Sequence, residues 1–231
     1  MKTPTFCYCH LYQEYGKLFS SHKDGSKCYQ KGDFVQTLLD QQTVYHYVLR
    51  GTVSLSMVTE NGYRKMLLIC GPGMIFPIFR NGADYRTNYT IQFQAMEAVE
   101  THFLYESHLK ELLLENPSFL MRTLNVALDV LDLYTYDAAN TVYHDSRMAV
   151  CNLLLLLWRQ LPRSKDSNRL AISHDDIAAA TGHSRPQVSK QIGFLSQQGI
   201  VKTGRGYLQI LDVPRLQEFC SSDVLDESCP P

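Results

Sequence analysis

The sequence predicts an α+β chain in three parts: an antiparallel β-rich N-terminal domain, one long helix, and a small C-terminal domain of helices with a β-hairpin. Three observations carry this. Between Cys28 and Glu106, short β-prone segments alternate with turn signals. After Pro117 neither proline nor glycine recurs until Pro162, and apolar residues fall at helical spacing. The stretch His174 to Leu195 then reads as two short helices meeting at a glycine. The boundaries expected are 1–115, 116–142 and 143–231.

In the β-rich part, VYHYVLRGTVSLSMV (Val44 to Val58) is broken at Gly51, and ENGYRKMLLICGPG carries a hairpin signal at Asn61-Gly62 and a second turn at Gly71-Pro72-Gly73. NYTIQFQAMEAVETHFLYE (Asn88 to Glu106) alternates in part. An antiparallel roll or a sandwich follows. A helix is expected from about Pro117 to Asn140. Along it Leu124, Leu128, Leu131, Thr135, Ala138 and Val142 are separated by four and three residues in turn, the spacing of a coiled-coil seam. Two readings fit that seam: a helix packed on its own domain, or one half of a parallel dimer.

Asp145 to Leu161 reads as a further helix with Val150, Leu153, Leu154, Leu157 and Trp158 on a broad apolar face. Ser164 to Asn168 is a polar loop, and GIVKTGRGYLQIL forms two short strands about Gly204-Arg205-Gly206, a wing. Asp212 to Cys220 is a last short helix, and SSDVLDESCPP a loose tail.

The 231 residues carry a formal net charge of −1, yet Arg159 to Ile210 holds eight Lys or Arg against three Asp or Glu. A basic C-terminal domain attached to an acidic remainder suits nucleic-acid binding. The richest apolar run, Ala149 to Trp158, is too short to span a bilayer, and the N-terminus lacks a leader pattern, so a cytoplasmic protein without membrane contact is expected. Seven cysteines, at 7, 9, 28, 70, 151, 220 and 229, form no disulfide framework. Cys70 and Cys151 sit in apolar company and are expected buried; Cys7 and Cys9 are expected exposed.

The helix-turn-helix reading rests on named positions. Ala178 lets two helices approach, and Gly182 supplies the tight turn. Ser184 is a good N-cap and Pro186 suits a first turn. Val188, Ile192 and Leu195 make the inner face, while Arg185, Gln187, Ser189 and Lys190 face outward with side chains that reach bases and phosphates. With Ser184, and with Lys202 and Arg205 of the wing, these are the candidate DNA contacts, on a recognition helix expected over 185–198.

KGDFV at Lys31, YHYVLRGTVSL leading to NGYRKMLLICGPG, ESHLKELLLENPSF leading into the long helix, and ISHDDIAAATGHSRPQVSKQI together resemble the Crp/Fnr superfamily of transcription regulators. The likeness runs from about Gly32 to Leu211. It implies a β-roll of the cyclic-nucleotide-binding type (a double-stranded β-helix), a dimerisation helix and a winged helix. It also implies a homodimer on a palindromic promoter site, an effector held by the roll, and RNA polymerase as a protein partner. Leu124, Leu128, Leu131, Thr135 and Ala138 would form the dimer interface.

One departure bears on the effector. Family members that bind cyclic nucleotides carry a Gly-Glu-rich cassette and then an Arg-Ser/Thr pair. Here the region reads MIFPIFRNGADYRTNYTIQF, with no Gly-Glu pair and with Arg86-Thr87 as the one imitation of the second element. A phosphate would lack its charge-assisted bonds, which argues against cyclic AMP. The aromatic replacement suggests instead a small apolar or aromatic effector, with Phe76, Ile78, Phe79, Arg86, Tyr89 and, on the long helix, Tyr134 as candidate contacts. Alternatively these aromatics fill the roll and no ligand is needed. A second departure is Pro186, where the family often has a cytosine-reading Glu, so an operator of its own is expected.

The same residues bear on other chemistries. Cys7, Cys9, Cys28 and Cys70 raise an iron-sulfur or redox sensor as an alternative, against which the Cys-x-Cys spacing speaks. His46 and His102 sit in strand-like runs without a partner at ligand spacing, so no metal site is expected. No His-x-His, phosphate loop or Gly-x-Ser-x-Gly elbow occurs, so no catalytic residues are assigned. The remaining alternative is a non-catalytic sensor or scaffold whose winged helix binds protein instead of DNA.

Overall fold

The computed structural model describes residues 6–78, 88–143, 145–161 and 168–225, with the backbone alone over 139–143. The chain divides into two compact units, one spanning Tyr8–Leu131 and one formed by the residues from Asp132 onward together with the described N-terminal residues Phe6 and Cys7.

The first unit is the antiparallel roll. Its strands are β1 (Cys7–Tyr8), β2 (Gly25–Tyr29), β3 (Leu38–Leu39), β4 (Gln42–Arg50), β5 (Val53–Thr59), β6 (Arg64–Cys70), β7 (Ile75–Phe76), β8 (Tyr89–Ala95) and β9 (Val99–Tyr105). One sheet runs in the order β1-β6-β5-β8, the other β2-β9-β4-β3 with β7 paired to β4. Between β4 and β5, Gly51 takes φ +81°, and a Cβ there would lie 2.2 Å from the Ala98 carbonyl oxygen, so the break read at this glycine is a tight crossing that only glycine fits. Gly62, at φ +78°, turns β5 into β6. Short helix α1 (Gly16–His22), in a stretch where no element was expected, buries Phe19 against Tyr47, ring centroids 5.5 Å apart.

The two sheets meet across stacked rings. His46 lies on Phe76 at 5.3 Å and Phe76 on Phe93 at 4.9 Å. His46 is wholly buried, with Nδ1 3.0 Å from the Thr101 hydroxyl and Nε2 2.8 Å from the Gln36 carbonyl oxygen. It is a satisfied core histidine. Burial lowers its pKa to about 4.

Helix α2 (Glu106–Glu115) leaves β9 directly, its start held by Asp24, whose carboxylate accepts from the Tyr105 amide at 2.8 Å and contacts His108 Nδ1 at 2.8 Å. Helix α3 (Pro117–Tyr143) follows, three residues longer than expected. Phe119, Val126 and Val130 are buried within the roll unit, whereas Leu124, Leu128 and Leu131 are half exposed or more, at 50%, 51% and 59%. Thr135 and Ala138 are exposed farther along the same helix.

The second unit holds α4 (Ser146–Gln160), β10 (Arg169–Leu170), α5 (His174–Thr181), α6 (Arg185–Gln197), β11 (Val201–Gly204), β12 (Tyr207–Ile210), α7 (Val213–Gln217) and α8 (Ser222–Leu225). Asp145 caps α4, accepting from the amides of Arg147 and Met148 at 2.8 Å each. The hairpin β11–β12 is joined by β10 into a three-stranded wing sheet. The expected loop Ser164 to Asn168 lies, but for Asn168, outside the described residues.

Two expectations need correction. The C-terminal segment is not a loose tail as far as Leu225: α8 buries Val224, Arg159 donates to the Val224 carbonyl at 2.6 Å, and Asn152 both donates to the Ser221 hydroxyl at 2.8 Å and accepts from its amide at 3.0 Å. A single buried valine in a polar tail gives no periodic signal, which is why the pattern failed. Cys7 and Cys9 are not exposed either; Cys7 is buried, and burial pushes the half-buried Cys9 thiol up to about 11, with its sulfur against Gly71.

Two outcomes follow from these contacts. Unfolded imidazole protonates near 6.5 but folded His46 only near 4, so between these values the unfolded state binds more protons; stability should fall as pH drops through this window, by up to about 3 kcal/mol. Denaturant titrations from pH 7 to 4 should show this slope, and His46→Gln should flatten it even while lowering stability at pH 7. Asn152→Ala should destabilise the C-terminal unit by about 1–3 kcal/mol through unpaired groups at Ser221, read as a lower melting temperature.

Candidate nucleic-acid interface

The site is built on α5 and α6. Ser173 and Asp176 form a capping box at the start of α5: the Ser173 hydroxyl accepts from the Asp176 amide at 3.1 Å, and the Asp176 carboxylate accepts from the Ser173 amide, also at 3.1 Å. Gly182 ends the helix in the left-handed conformation, φ +72°, donating its amide to the Ala178 carbonyl at 3.0 Å. A second capping box, Ser184 with Gln187, opens α6 with Pro186 in its first turn. Local chemistry therefore marks where each helix of the corner starts and where α5 stops.

Burial fixes how α6 is rotated. Val188, Ile192 and Leu195 are at most 1% exposed, and α6 packs against α5, whose Ile177 and Ala180 are likewise buried. Each such large apolar side chain contributes about 1.5–3 kcal/mol, enough to set which face remains outside. Arg185, Pro186, Gln187 and Lys190 are exposed as a result.

The candidate contacts are in unequal states. Arg185 Nε lies 3.0 Å from Asp175 Oδ1, an ion pair with both side chains about two-thirds exposed. The Gln187 carboxamide oxygen accepts from the Ser184 amide and hydroxyl at 2.9 and 2.8 Å, so a bidentate adenine contact requires this cap to open. Ser189 Oγ is 3.0 Å from His174 Nδ1, which ties the start of α5 to α6. Lys190 makes no ion pair among the described residues. On the wing, Lys202 and Arg205 are exposed, Gly206 turns the hairpin at φ +79°, and the Arg169 guanidinium lies 4.8 Å over the Tyr207 ring.

Several positioning residues were missed in the sequence. Gln191, buried among the apolar positions of α6, accepts from Arg147 Nε at 3.1 Å and donates to the Ser146 hydroxyl at 3.1 Å, and the Arg147 guanidinium stands 4.1 Å over the Phe194 ring. At the other end Arg215 donates to the Gln198 carbonyl at 2.8 Å, a cation at the C-terminus of α6. A glutamine interrupting an apolar face was the signal for the first; nothing local marked the second.

Among the candidate effector contacts, Phe76 is fully buried in the ring stack, Ile78 is half-buried, Tyr89 is 38% exposed, and Tyr134 is half-buried on α3. Phe79 and Arg86 lie outside the described residues. Of the cysteines considered for a cluster, Cys28 is exposed on β2 while Cys7 and Cys70 are buried; among the described residues no three His, Cys, Asp or Glu are placed to hold a metal. Burial raises the thiol pKa of Cys70 as well as Cys9, which leaves little thiolate for redox chemistry. Among the described residues no helix is long and apolar enough to cross a membrane.

Comparison with known proteins agrees with this geometry. Residues 149–219 match the Crp-like helix-turn-helix domain. The transcriptional regulator SdrP of Thermus thermophilus is 30% identical over 176 residues, covering 76% of this chain and 83% of that protein. The cyclic AMP receptor protein of the same organism is 25% identical over 208 residues, 86% of each. The fold is that of FixK2 from Bradyrhizobium japonicum, with a TM-score of 0.69 at 17% identity over 85% of this chain and 97% of that one. Such relatives are transcription regulators and not enzymes: the chain belongs to the Crp/Fnr family of transcription regulators.

Proposed function

We propose that this regulator works as a homodimer that reads a two-fold-symmetric promoter site with α6, one recognition helix in each of two successive major grooves. The observation that carries the reading is the rotation of α6: its apolar residues are buried in its own domain, and Arg185, Gln187 and Lys190 stand outside. Arg185 pairs with guanine and Gln187 with adenine once the Asp175 pair and the cap are exchanged for base edges; Lys190, Lys202 and Arg205 bind phosphates. Ser184 and Ser189 add hydroxyl contacts.

The dimer reading is supported by α3. An apolar row at heptad spacing, Leu124, Leu128 and Leu131, left about half exposed on a helix whose other side is buried, suits a matching row on a second copy. Thr135 and Ala138 continue it. Such pairing would set the two recognition helices about 34 Å apart, one turn of DNA. RNA polymerase in the cytoplasm is the protein partner that this role calls for.

The effector we assign to the roll unit is a small non-nucleotide molecule. One relative is named for cyclic AMP, but here Ile75-Phe76-Pro77-Ile78 follows the Gly71-Pro72-Gly73 turn, and none of the four can make a charge-assisted bond to a phosphate.

Selection of DNA from a random library by the purified chain should return an inverted repeat. Arg185→Ala should lose about 1–3 kcal/mol of discrimination at one base position of it, whereas Lys190→Ala should weaken all sequences alike and reduce the salt slope by about 1. Asp175→Asn, which frees Arg185, should tighten binding by no more than about 1 kcal/mol, because the exposed pair is weak. Leu128→Glu should sediment as a monomer and lose cooperative operator binding.

A further inference from the structure

The two faces of β4 look into different surroundings. His46 pairs in register with Phe76 and belongs to the ring stack between the sheets; Tyr47 pairs with Ile75 and, with Tyr45, lies on the opposite face. On the stack side the rings of His46, Phe76 and Phe93 are buried against one another. On the other side the β4–β7 face, α2 and the first turns of α3 line a partly open cavity of about 240 Å³.

Its walls are Ile75, Pro77, Leu109, Leu113 and Phe119, and its polar edges are Tyr12, Tyr45 and Thr123. Tyr12 and Tyr15 brace Phe119 with ring centroids at 5.8 and 4.7 Å, so the aromatic wall is fixed. Burial holds the Tyr12 phenol protonated, its pKa raised to about 12, so it offers a neutral hydroxyl. The charged groups at the rim, Lys110 and Glu106, neutralise one another at 2.8 Å. The Tyr12 and Thr123 hydroxyls are bonded to each other and Thr123 donates to the Phe119 carbonyl at 3.0 Å, so the site presents apolar walls, an internally paired hydroxyl edge and no net charge.

We infer that this cavity on the outer face of β4 and β7 is an effector seat, and that it takes an uncharged aromatic molecule of bicyclic size. The size follows from comparison: an apolar cavity of about 150 Å³ accepts benzene, so 240 Å³ admits a second fused ring. Uncharged ligands are selected because an anion would have to break the Glu106–Lys110 pair and meet the carboxylate, and a cation would meet the ammonium. Thr123 and Ala127 of the lining immediately precede Leu124 and Leu128 on α3. A ligand pressed between α2 and α3 thus acts on the helix that carries the exposed leucine row.

This inference rests on the proposed effector control, but it is tested without DNA. Calorimetric titration of the full chain with indole should saturate at one molecule per chain, and the anion indole-3-acetate should bind at least about tenfold more weakly, a difference of about 1.4 kcal/mol. Leu113→Trp, which fills the cavity from α2, should abolish indole binding, and Thr123→Val should weaken it severalfold. Leu114→Trp, on an exposed neighbour, should leave it unchanged, with melting temperatures confirming that each variant folds. Failure of indole to saturate, equal binding by Leu113→Trp and Thr123→Val, or preference for the anion would overturn the site. Should operator binding respond to another metabolite while indole does not bind, effector control stands and this seat for it falls.

Discussion

The structure depends on a constraint shared by two helices: each must bury one face firmly in its own unit while leaving the other side bare. For α6 the buried face is Val188, Ile192 and Leu195, with Gln191 set among them. For α3 it is Phe119, Val126 and Val130. Hydrophobic burial is non-directional, so it fixes which side of a helix is hidden but only loosely its axial position. Directional contacts supply the rest. The Gln191 carboxamide, bonded to Ser146 and Arg147, pins α6 along its length, and Arg215 holds its far end. A base-reading helix needs this, since side chains displaced by an ångström miss the groove edges they are to meet.

The outer face of α6 is held in check without DNA. Arg185 rests on Asp175, and Gln187 is part of its own helix cap. Both are weak, exposed interactions, exchangeable for contacts of comparable or greater strength at a base edge. In the proposed binding mode Lys190, Lys202 and Arg205 supply the charge that draws the domain to the phosphate backbone, and the pre-ordered corner limits the entropy lost on docking. On α3 the same logic operates with apolar residues, whose exposure suits a second copy of the helix.

What the sequence disclosed and what it hid divide along physical lines. Local signals were legible: Gly182 and Ser184 punctuate the corner, the break at Gly51 marks a crossing that no side chain fits, and the leucine spacing on α3 separates its exposed row from its buried one. Features assembled from distant segments were not. His46 gave no sign that Gln36, Thr101 and Phe76 would enclose it, and the docking of α8 rests on Asn152 and Arg159, some seventy residues earlier. The cavity behind β4 draws its walls from β4, β7, α2 and α3, and no local spacing in any of them shows that they meet. Arg147, Arg215 and Gln198 lie in ordinary helical surroundings, and only the fold brings them to the ends and flank of α6.

In the proposed binding mode α6 lies in the major groove and two copies do so on one face of DNA. Hydroxyl-radical and dimethyl-sulfate footprinting of the purified chain on its selected site tests this most directly. Two equivalent guanine protections are expected in successive major grooves, about ten base pairs apart and related by two-fold symmetry. A single asymmetric footprint, protection confined to the minor groove, or no footprint on any selected sequence would contradict it.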